Sequence, residues 1–392
     1  MRKQNVVLAA ALSALLVLLV AGGAAAQTSP PWMSYSPPES FFMGLDAAGS
    51  YQYYRDQFTS TEGDVNYGTL KLRFWQFMDS PTFGYDINAA LTLQTKGAPG
   101  ADGEDTTIDF DLNSGGHTSV KYYFTPENDT FGYFGITGTA SGLDRYSLVG
   151  NLGVGYGRFK DATPLQRAAE IERALMDLGD VAIPFGPGFL ISLAQETERV
   201  HEAEETSAER AERVSDFIIA NAPGSPVLSP AGVITVNDLL NKQVMRRSVG
   251  WEVRAGLGYP IIIPADETRS VQAVASASLG MPIAFYTQVN VTAQASSPID
   301  NLASVYTVGV QGEVVHTFNE NLDVGANATL NLSGREGDES IVSWGVGAFA
   351  DVQIIEGLSL VTTATYRDET RRNDVWEQAA FGITASVRYR FF

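Results

Sequence analysis

The chain has 392 residues, no cysteine, and 45 acidic against 26 basic residues, which gives a formal net charge of −19. This charge argues against nucleic acid as a partner, because phosphate binding needs clustered Lys and Arg. Without cysteine the protein can form no disulfide, no thiolate metal site and no cysteine nucleophile. An all-histidine metal site would need all 3 histidines, and we expect neither a metal nor another cofactor.

The N-terminus has the layout of a secretory signal peptide. Two basic residues precede an apolar run at 6–20, and a run of small residues ends at Ala26. We predict that residues 1–26 are removed and that residues 27–41 form a flexible N-terminal segment. An uncleaved membrane anchor is the alternative, but the apolar run is short for a spanning helix, and no later stretch is long enough either. An exported protein of this kind is either soluble or a transmembrane barrel.

Long runs of alternating apolar and polar residues decide between these two classes. From Leu322 to Leu332 every second residue is apolar, and the residues between them are Asp, Gly, Asn or Thr. A similar alternation recurs around Trp251 and Trp344. A soluble β-sandwich also alternates, but its strands usually have about five or six residues. Runs of about ten or more with aromatic ends favour an outer-membrane barrel.

Fourteen such runs can be counted, with 12–16 as the range, and they lie in two blocks, 42–160 and 249–392. The runs cover 42–57, 65–78, 82–95, 106–124, 130–141, 146–159, 249–260, 269–280, 282–295, 303–317, 321–334, 340–353, 357–367 and 376–392. Short connections alternate with longer acidic ones, as periplasmic turns alternate with external loops in bacterial barrels. The sequence therefore predicts an all-β transmembrane antiparallel barrel of about 14 strands.

The last twelve residues, 381–392, read FGITASVRYRFF, with apolar residues alternating up to an aromatic end. This segment resembles the C-terminal strand of bacterial outer-membrane β-barrel proteins, a porin-like class in which the terminal aromatic is read by the barrel-assembly machinery. The resemblance implies a Gram-negative type outer membrane, with its lipid and that machinery as partners. It assigns the assembly signal to Tyr389, Phe391 and Phe392, although the alternation here is in phase with Phe391 rather than Phe392.

Residues 161–248 interrupt the strands with helical spacing of apolar residues. We predict a first helix at 165–178, a longer one at 189–220 and a third at 236–247. Because six strands precede this insert, a barrel that starts at the periplasm returns the chain to the periplasm there. The insert is a helical domain that packs on itself and closes the barrel mouth, a plug in the lumen, or a docking surface for a periplasmic partner.

Catalysis has little support in the sequence. A general base needs a histidine within reach of its partner. The alternation places His117 on the polar face with Ser119, and it places His316 on the apolar face. We find no GxSxG, HExxH or P-loop motif. The sequence therefore predicts that the protein is not an enzyme and has no catalytic residue.

Charged residues of both signs fall on the predicted inward faces, where they can line a hydrated channel or pair and close it. The candidate lumen-lining residues are Lys71, Arg73, Asp86, Lys121, Glu252, Arg254, Glu313, Asp323, Asp351, Arg388 and Arg390. The predicted function is a passive or weakly selective diffusion channel for small polar solutes or ions. The alternative is a non-conducting structural or docking protein whose helical insert binds a periplasmic partner.

Overall fold

The computed structural model describes most of the chain after the N-terminal segment. The described residues are 35, 37, 39–56, 63–98, 107–142, 145–201, 206–242, 247–264, 269–284, 286–302, 305–319, 321–334, 340–355, 357–371 and 377–391. The predicted signal peptide and Phe392 lie outside these ranges.

Fourteen strands form one closed antiparallel barrel. Each strand pairs with the strands that precede and follow it in the sequence, and β14 pairs with β1 to close the barrel. This confirms the predicted fold class. The strands are β1 Ser40–Asp56, β2 Gly63–Asp79, β3 Phe83–Ala98, β4 Thr107–Thr125, β5 Asn128–Ser141, β6 Arg145–Asp161, β7 Ser248–Ile262, β8 Gln272–Ala284, β9 Thr287–Pro298, β10 Tyr306–Asn319, β11 Leu322–Gly334, β12 Ile341–Ile355, β13 Leu358–Arg371 and β14 Glu377–Arg390. A short 3-10 helix, Ile299–Asn301, lies between β9 and β10.

The two ends of the barrel differ in their connections. Short turns at 80–82 and 126–127 join β2 to β3 and β4 to β5 at one end, which we call the turn end. Longer connections such as 99–106 join strands at the opposite end, the loop end. The turn between β8 and β9 includes Tyr286 and follows Pro282, which lies inside β8. The predicted break between these strands at 281 is therefore wrong, because proline is tolerated in strands where its missing N–H is not needed.

Alternate side chains point to opposite faces of the wall. On β6, Leu152, Val154 and Tyr156 are exposed, and so are Phe381 and Ile383 on β14. An apolar surface that continues around a barrel is typical of contact with hydrocarbon rather than water. The opposite phase faces the interior, because its side chains contact each other between strands that are not neighbours in the sheet.

The described residues of the insert between β6 and β7 form four helices, not three: α1 Thr163–Leu178, α2 Pro187–His201, α3 Ser207–Asn221 and α4 Pro230–Asn241. The predicted helix 189–220 is wrong because Thr206 starts a new helix. Its hydroxyl accepts a hydrogen bond from the Glu209 backbone N–H at 3.3 Å, and the Glu209 carboxylate accepts one from the Thr206 N–H at 2.8 Å. This reciprocal capping box also lowers the pKa of Glu209.

The predicted third helix, 236–247, is also wrong at both ends. Ser229 caps α4 by accepting a hydrogen bond from the Gly232 N–H at 3.1 Å. Pro230 then occupies the first helical position, where its missing N–H costs nothing and its fixed φ favours a helix. The helix thus begins six residues before the predicted start at 236, and α4 ends at Asn241.

The helices belong to one compact unit together with residues 279–289, and most of the barrel forms a second unit. Within the first unit, α1–α4 bury a hydrophobic core of their own. Its largest members include Leu165, Ile171, Leu175, Phe185, Leu190, Leu193, Val214, Ile218, Val236 and Leu239. None of the described helices combines the length and apolar character that a membrane-spanning helix needs.

Candidate functional site

The inward face of β2–β7 near the turn end holds buried charges around Lys121. Lys121 is only 2 % exposed, and its Nζ lies 2.9 Å from Oε2 of Glu252 on β7 and 3.4 Å from Oδ1 of Asp79 on β2. Since β4 and β7 are not adjacent in the sheet, the contact with Glu252 lies inside the barrel. Three aromatic rings also lie within 5.7 Å of this ammonium group: Phe77, Tyr123 and Phe131.

Arg254 continues this arrangement towards β3. It pairs with Glu252, and its guanidinium donates a hydrogen bond to the Ser119 hydroxyl at 2.7 Å. Ser119 in turn donates to Oδ2 of Asp86 at 2.5 Å, and Nε2 of His117 lies 3.1 Å from Oδ1 of the same carboxylate. Asp86 thus contacts Ser119 through one carboxylate oxygen and His117 through the other.

Arg158 on β6 connects these charged residues with the turn between β2 and β3. Its guanidinium lies 3.9 Å from the Tyr123 ring centroid, and it donates to the Ser80 carbonyl at 3.0 Å. Nε lies 3.2 Å from Oδ1 of Asp129. The Tyr123 hydroxyl donates to Oδ1 of Asp79 at 3.0 Å. We call the set Asp79, Asp86, His117, Ser119, Lys121, Arg158, Glu252 and Arg254 the charge network.

Glycines on β6 make room for the charge network. The inward phase of β6 carries Gly153, Gly155 and Gly157, and rings from β5 lie over this stretch. A Cβ atom at Gly155 would overlap the Phe131 ring, and one at Gly153 would come within 2.8 Å of the Tyr133 ring. The missing side chains therefore let the rings approach the β6 backbone closely, and Lys121 lies over the Phe131 ring.

A second group of inward charges lies near the closing seam. Arg388 on β14 pairs with Asp351 on β12. Asp46 on β1 lies directly opposite Arg390 on one side and Arg73 on the other. These residues form the seam cluster, to which Asp323 also belongs by its position opposite Asp351. Burial penalises such charges, and they are tolerated only when opposite charges are close.

Other inward side chains face open space. Lys71 and Arg73 are exposed, and Glu313 is half-buried with the Asn290 amide 3.4 Å from its Oε2. From mid-barrel towards the loop end, the exposed inward residues are polar, and several of them are neutral: Gln94, Thr137, Thr139, Gln311, Thr329 and Asn331. Three others on the same phase are charged, namely Asp111, Arg145 and Arg367. The structure thus places every candidate lumen residue on the inward face and divides them into buried pairs and exposed groups. Their role in a channel stays a prediction.

Sequence analysis missed Asp79, Ser119 and Arg158 as members of the charge network. Asp79 is the last residue of β2 and Arg158 follows the glycine series of β6. Both keep the inward phase of their strands, so the alternation itself could have placed them. Nothing in the pattern of single strands shows that their partners come from β4 and β5.

The insert contains a separate polar cluster. Arg247 is buried, and its Nε donates to Oε1 of Gln166 at 2.7 Å. The Tyr286 hydroxyl donates to the Ala169 carbonyl at 3.0 Å, and the Arg173 guanidinium lies 3.7 Å from the Tyr286 ring. Burial raises the pKa of Tyr286, and Arg173 partly opposes this effect. These contacts fix α1 to the β8–β9 turn.

The N-terminal segment contributes one described residue to the insert core. Tyr35 is buried, and its hydroxyl donates to Oε2 of Glu198 at 2.9 Å. Burial and this carboxylate raise the pKa of Tyr35 well above its ordinary value. Among the residues that the structure describes, no group of three or more His, Asp or Glu could hold a metal ion.

A closed barrel with an apolar outer surface and a polar interior defines the class of the protein as an outer-membrane-type transmembrane β-barrel. No protein-family model and no curated protein sequence matches the chain.

Solved structures of similar fold are outer-membrane barrels. An outer membrane channel from Pseudomonas putida is 8 % identical, with a TM-score of 0.35, and the match covers 91 % of this chain and 98 % of that one. The beta domain of the Bordetella autotransporter Brka is 11 % identical, with a TM-score of 0.29 and coverages of 89 % and 100 %. A Rhodopseudomonas blastica porin variant is 9 % identical, with a TM-score of 0.28 and coverages of 90 % and 100 %.

Proposed function

We propose that the protein is a passive, weakly selective diffusion channel for small polar solutes or ions in a bacterial outer membrane. The observation that carries this proposal is the exposed polar lining above the charge network, with residues such as Thr139, Gln311 and Thr329. Side chains that are exposed on the inside of a closed barrel border solvent. A Thr, Asn and Gln lining binds polar solutes weakly, as permeation requires.

The paired charges support weak rather than strong selectivity. Opposite charges within hydrogen-bond distance, such as Lys121 and Glu252, leave little net field for a passing ion. Exposed cations such as Lys71 act on the solute directly, because no directly opposite residue on β1 or β3 is charged: these are Ala48 and Thr92. We infer selectivity from these exposed groups and not from the charge network.

Single-channel conductance of the refolded mature chain in a planar bilayer tests the proposal. We expect discrete conductance steps, and we expect Thr329→Trp to reduce their size because the indole occupies the lumen. Leu330→Trp is the matched control, since the neighbouring side chain points outward and is exposed. Silence of a correctly folded protein, checked by heat-modifiable gel mobility, would overturn the channel and favour the non-conducting alternative.

The alternative has its own support in the surface of the insert. Ile183 is 51 % exposed and Val227 is 83 % exposed, although the insert buries a complete core elsewhere. Contiguous exposed apolar patches mark sites for a protein partner, and we propose Ile183 and Val227 as candidate members of such a patch. Conductance of the double variant Ile183→Asp/Val227→Asp is the test. If it equals that of the wild type, this surface of the insert does not contribute to ion flow.

Assembly provides a further proposal for the C-terminal strand. The rings of Tyr389 and Phe391 face outward with centroids 4.9 Å apart, and the Phe391 N–H donates to the Leu45 carbonyl at 2.9 Å. We expect Phe391→Ser to reduce the amount of barrel inserted by the assembly machinery. Unchanged insertion in cells would contradict this role.

A further inference from the structure

A groove lies on the outer surface of the barrel where β14 meets β1. Its volume is about 640 Å³, which is within the range of about 300–1,000 Å³ that is typical of small-molecule sites. Most of its lining belongs to two neighbouring rows that cross the strands. One row contains Leu360, Val387, Gly49, Leu70 and Leu93, which lie opposite one another in turn from β13 to β3.

Small residues create the groove. Gly49 on β1 and Gly68 on β2 carry no side chain, and Ala385 on β14 carries only a methyl group. A Cβ atom at Gly49 would meet no other atom within 4 Å. Leu70 and Val387 stand on either side of Gly49 and are exposed. The result is an apolar trough with aliphatic walls.

The position of the groove identifies the medium around it. Gly49 lies in the middle of β1, Ser40–Asp56, and on the outward phase with Phe41, Met43 and Tyr51, which are exposed. The middle of a strand that crosses a bilayer lies at the depth of the hydrocarbon and not of the headgroups. An acyl chain is therefore the chemical group available to fill this trough.

The groove also coincides with the end of a strand ladder. The register between β1 and β14 covers the five pairs from Asp46–Arg390 to Ser50–Ser386, whereas β1 pairs with β2 along its whole length. Gly49 and Val387, the last outward-facing pair of this ladder, line the groove. A molecule bound in the groove would therefore contact both β1 and β14, next to the point where their hydrogen-bonded pairing ends.

We propose that this groove binds an acyl chain of a membrane phospholipid and that the bound chain supports the β1–β14 seam. The inference rests on the placement of the barrel in a membrane. Apolar contact with Leu70, Leu360 and Val387 provides the affinity, and the two glycines allow the chain to lie close to the backbone.

Native mass spectrometry of the full mature chain tests the site. The probe is palmitoyl-oleoyl phosphatidylethanolamine, titrated into delipidated protein in detergent. We expect one phospholipid to remain bound to the wild type, and we expect Gly49→Trp to weaken its binding roughly tenfold, which corresponds to about 1.4 kcal/mol. Gly312→Trp is the matched control, because a Cβ at this outward glycine of β10 also meets no atom within 4 Å.

Equal retention by the wild type and Gly49→Trp, or no retention by the wild type, would overturn the proposal. A parallel titration with oleate distinguishes the source, since binding of oleate without binding of phospholipid would assign the groove to free fatty acids instead. If Gly49→Trp does not fold, Leu360→Gln places a polar group in the wall, with Leu330→Gln as its control. Heat-modifiable mobility and conductance are measured on the same samples, so that loss of the channel is distinguishable from loss of the groove.

Discussion

Two inward lysines show how differently two regions of the barrel interior are built. Lys121 on β4 is buried between Asp79 and Glu252, and aromatic rings surround it. Lys71 on β2 is exposed, and the residues directly opposite it, Ala48 and Thr92, are neutral. The same alternation of polar and apolar residues thus produces a packed wall near the turn end and a solvated lining above it.

The difference comes from what the neighbouring strands provide. Next to Lys121, the glycines of β6 leave room for the rings of β5, and charges from β2, β4 and β7 lie within reach of each other. A buried charge is tolerated when its partners are close and its hydrogen bonds are satisfied. The two residues directly opposite Lys71 are neutral, and its side chain is exposed to solvent.

Removing the two lysines separately should give the largest contrast. We expect Lys121→Met to lower the free energy of unfolding by about 3–5 kcal/mol, because it leaves Asp79 and Glu252 as buried carboxylates without this cation. Lys71→Met should change it by less than about 0.5 kcal/mol. Urea unfolding in lipid vesicles, followed by tryptophan fluorescence, measures both. Equal effects would show that the two regions do not differ in this way.

A side chain added at one of the inward glycines of β6 should have the next largest effect on the free energy of unfolding. Gly155→Ala forces the Phe131 ring to move, and we expect a loss of about 1–3 kcal/mol from overpacking. Gly312→Ala, at an outward glycine with open space, should cost less than about 0.5 kcal/mol. The same unfolding assay applies, and a tolerated alanine at position 155 would mean that the rings are not held against β6.

Sequence patterns were sufficient for the strands but not for their partners. The alternation from Leu322 onwards predicted β11 almost to the residue, since a half-buried strand must alternate. The contact between Lys121 and Glu252 joins residues 131 positions apart, and it depends on strand order, register and the glycines of β6 together. The capping box at Thr206 and the helix start at Pro230 were visible in the sequence as local signals. The prediction of the helix bounds relied on the spacing of apolar residues instead of these local signals.

Hydroxyl groups in the two regions offer a finer comparison. Ser119→Ala removes both the donor to Asp86 and the acceptor for Arg254, and we expect a loss of about 1–3 kcal/mol because both partners stay largely buried. Thr139→Ala removes an exposed contact with Ser147 and should have almost no effect. Unfolding midpoints in urea report both changes. A loss at Thr139 as large as at Ser119 would indicate that the upper lining is packed rather than solvated.

Charge reversal at the exposed lysine should leave stability nearly unchanged and alter permeation. We expect Lys71→Glu to raise the permeability of cations relative to anions, because the side chain faces solvent and its opposite neighbours cannot compensate it. Lys71→Arg keeps the charge and should keep the wild-type reversal potential in a salt gradient. The effect of Lys71→Glu should weaken at high salt, where the Debye length falls to about 3 Å at 1 M. An unchanged reversal potential at low salt would place Lys71 away from the path of the ions.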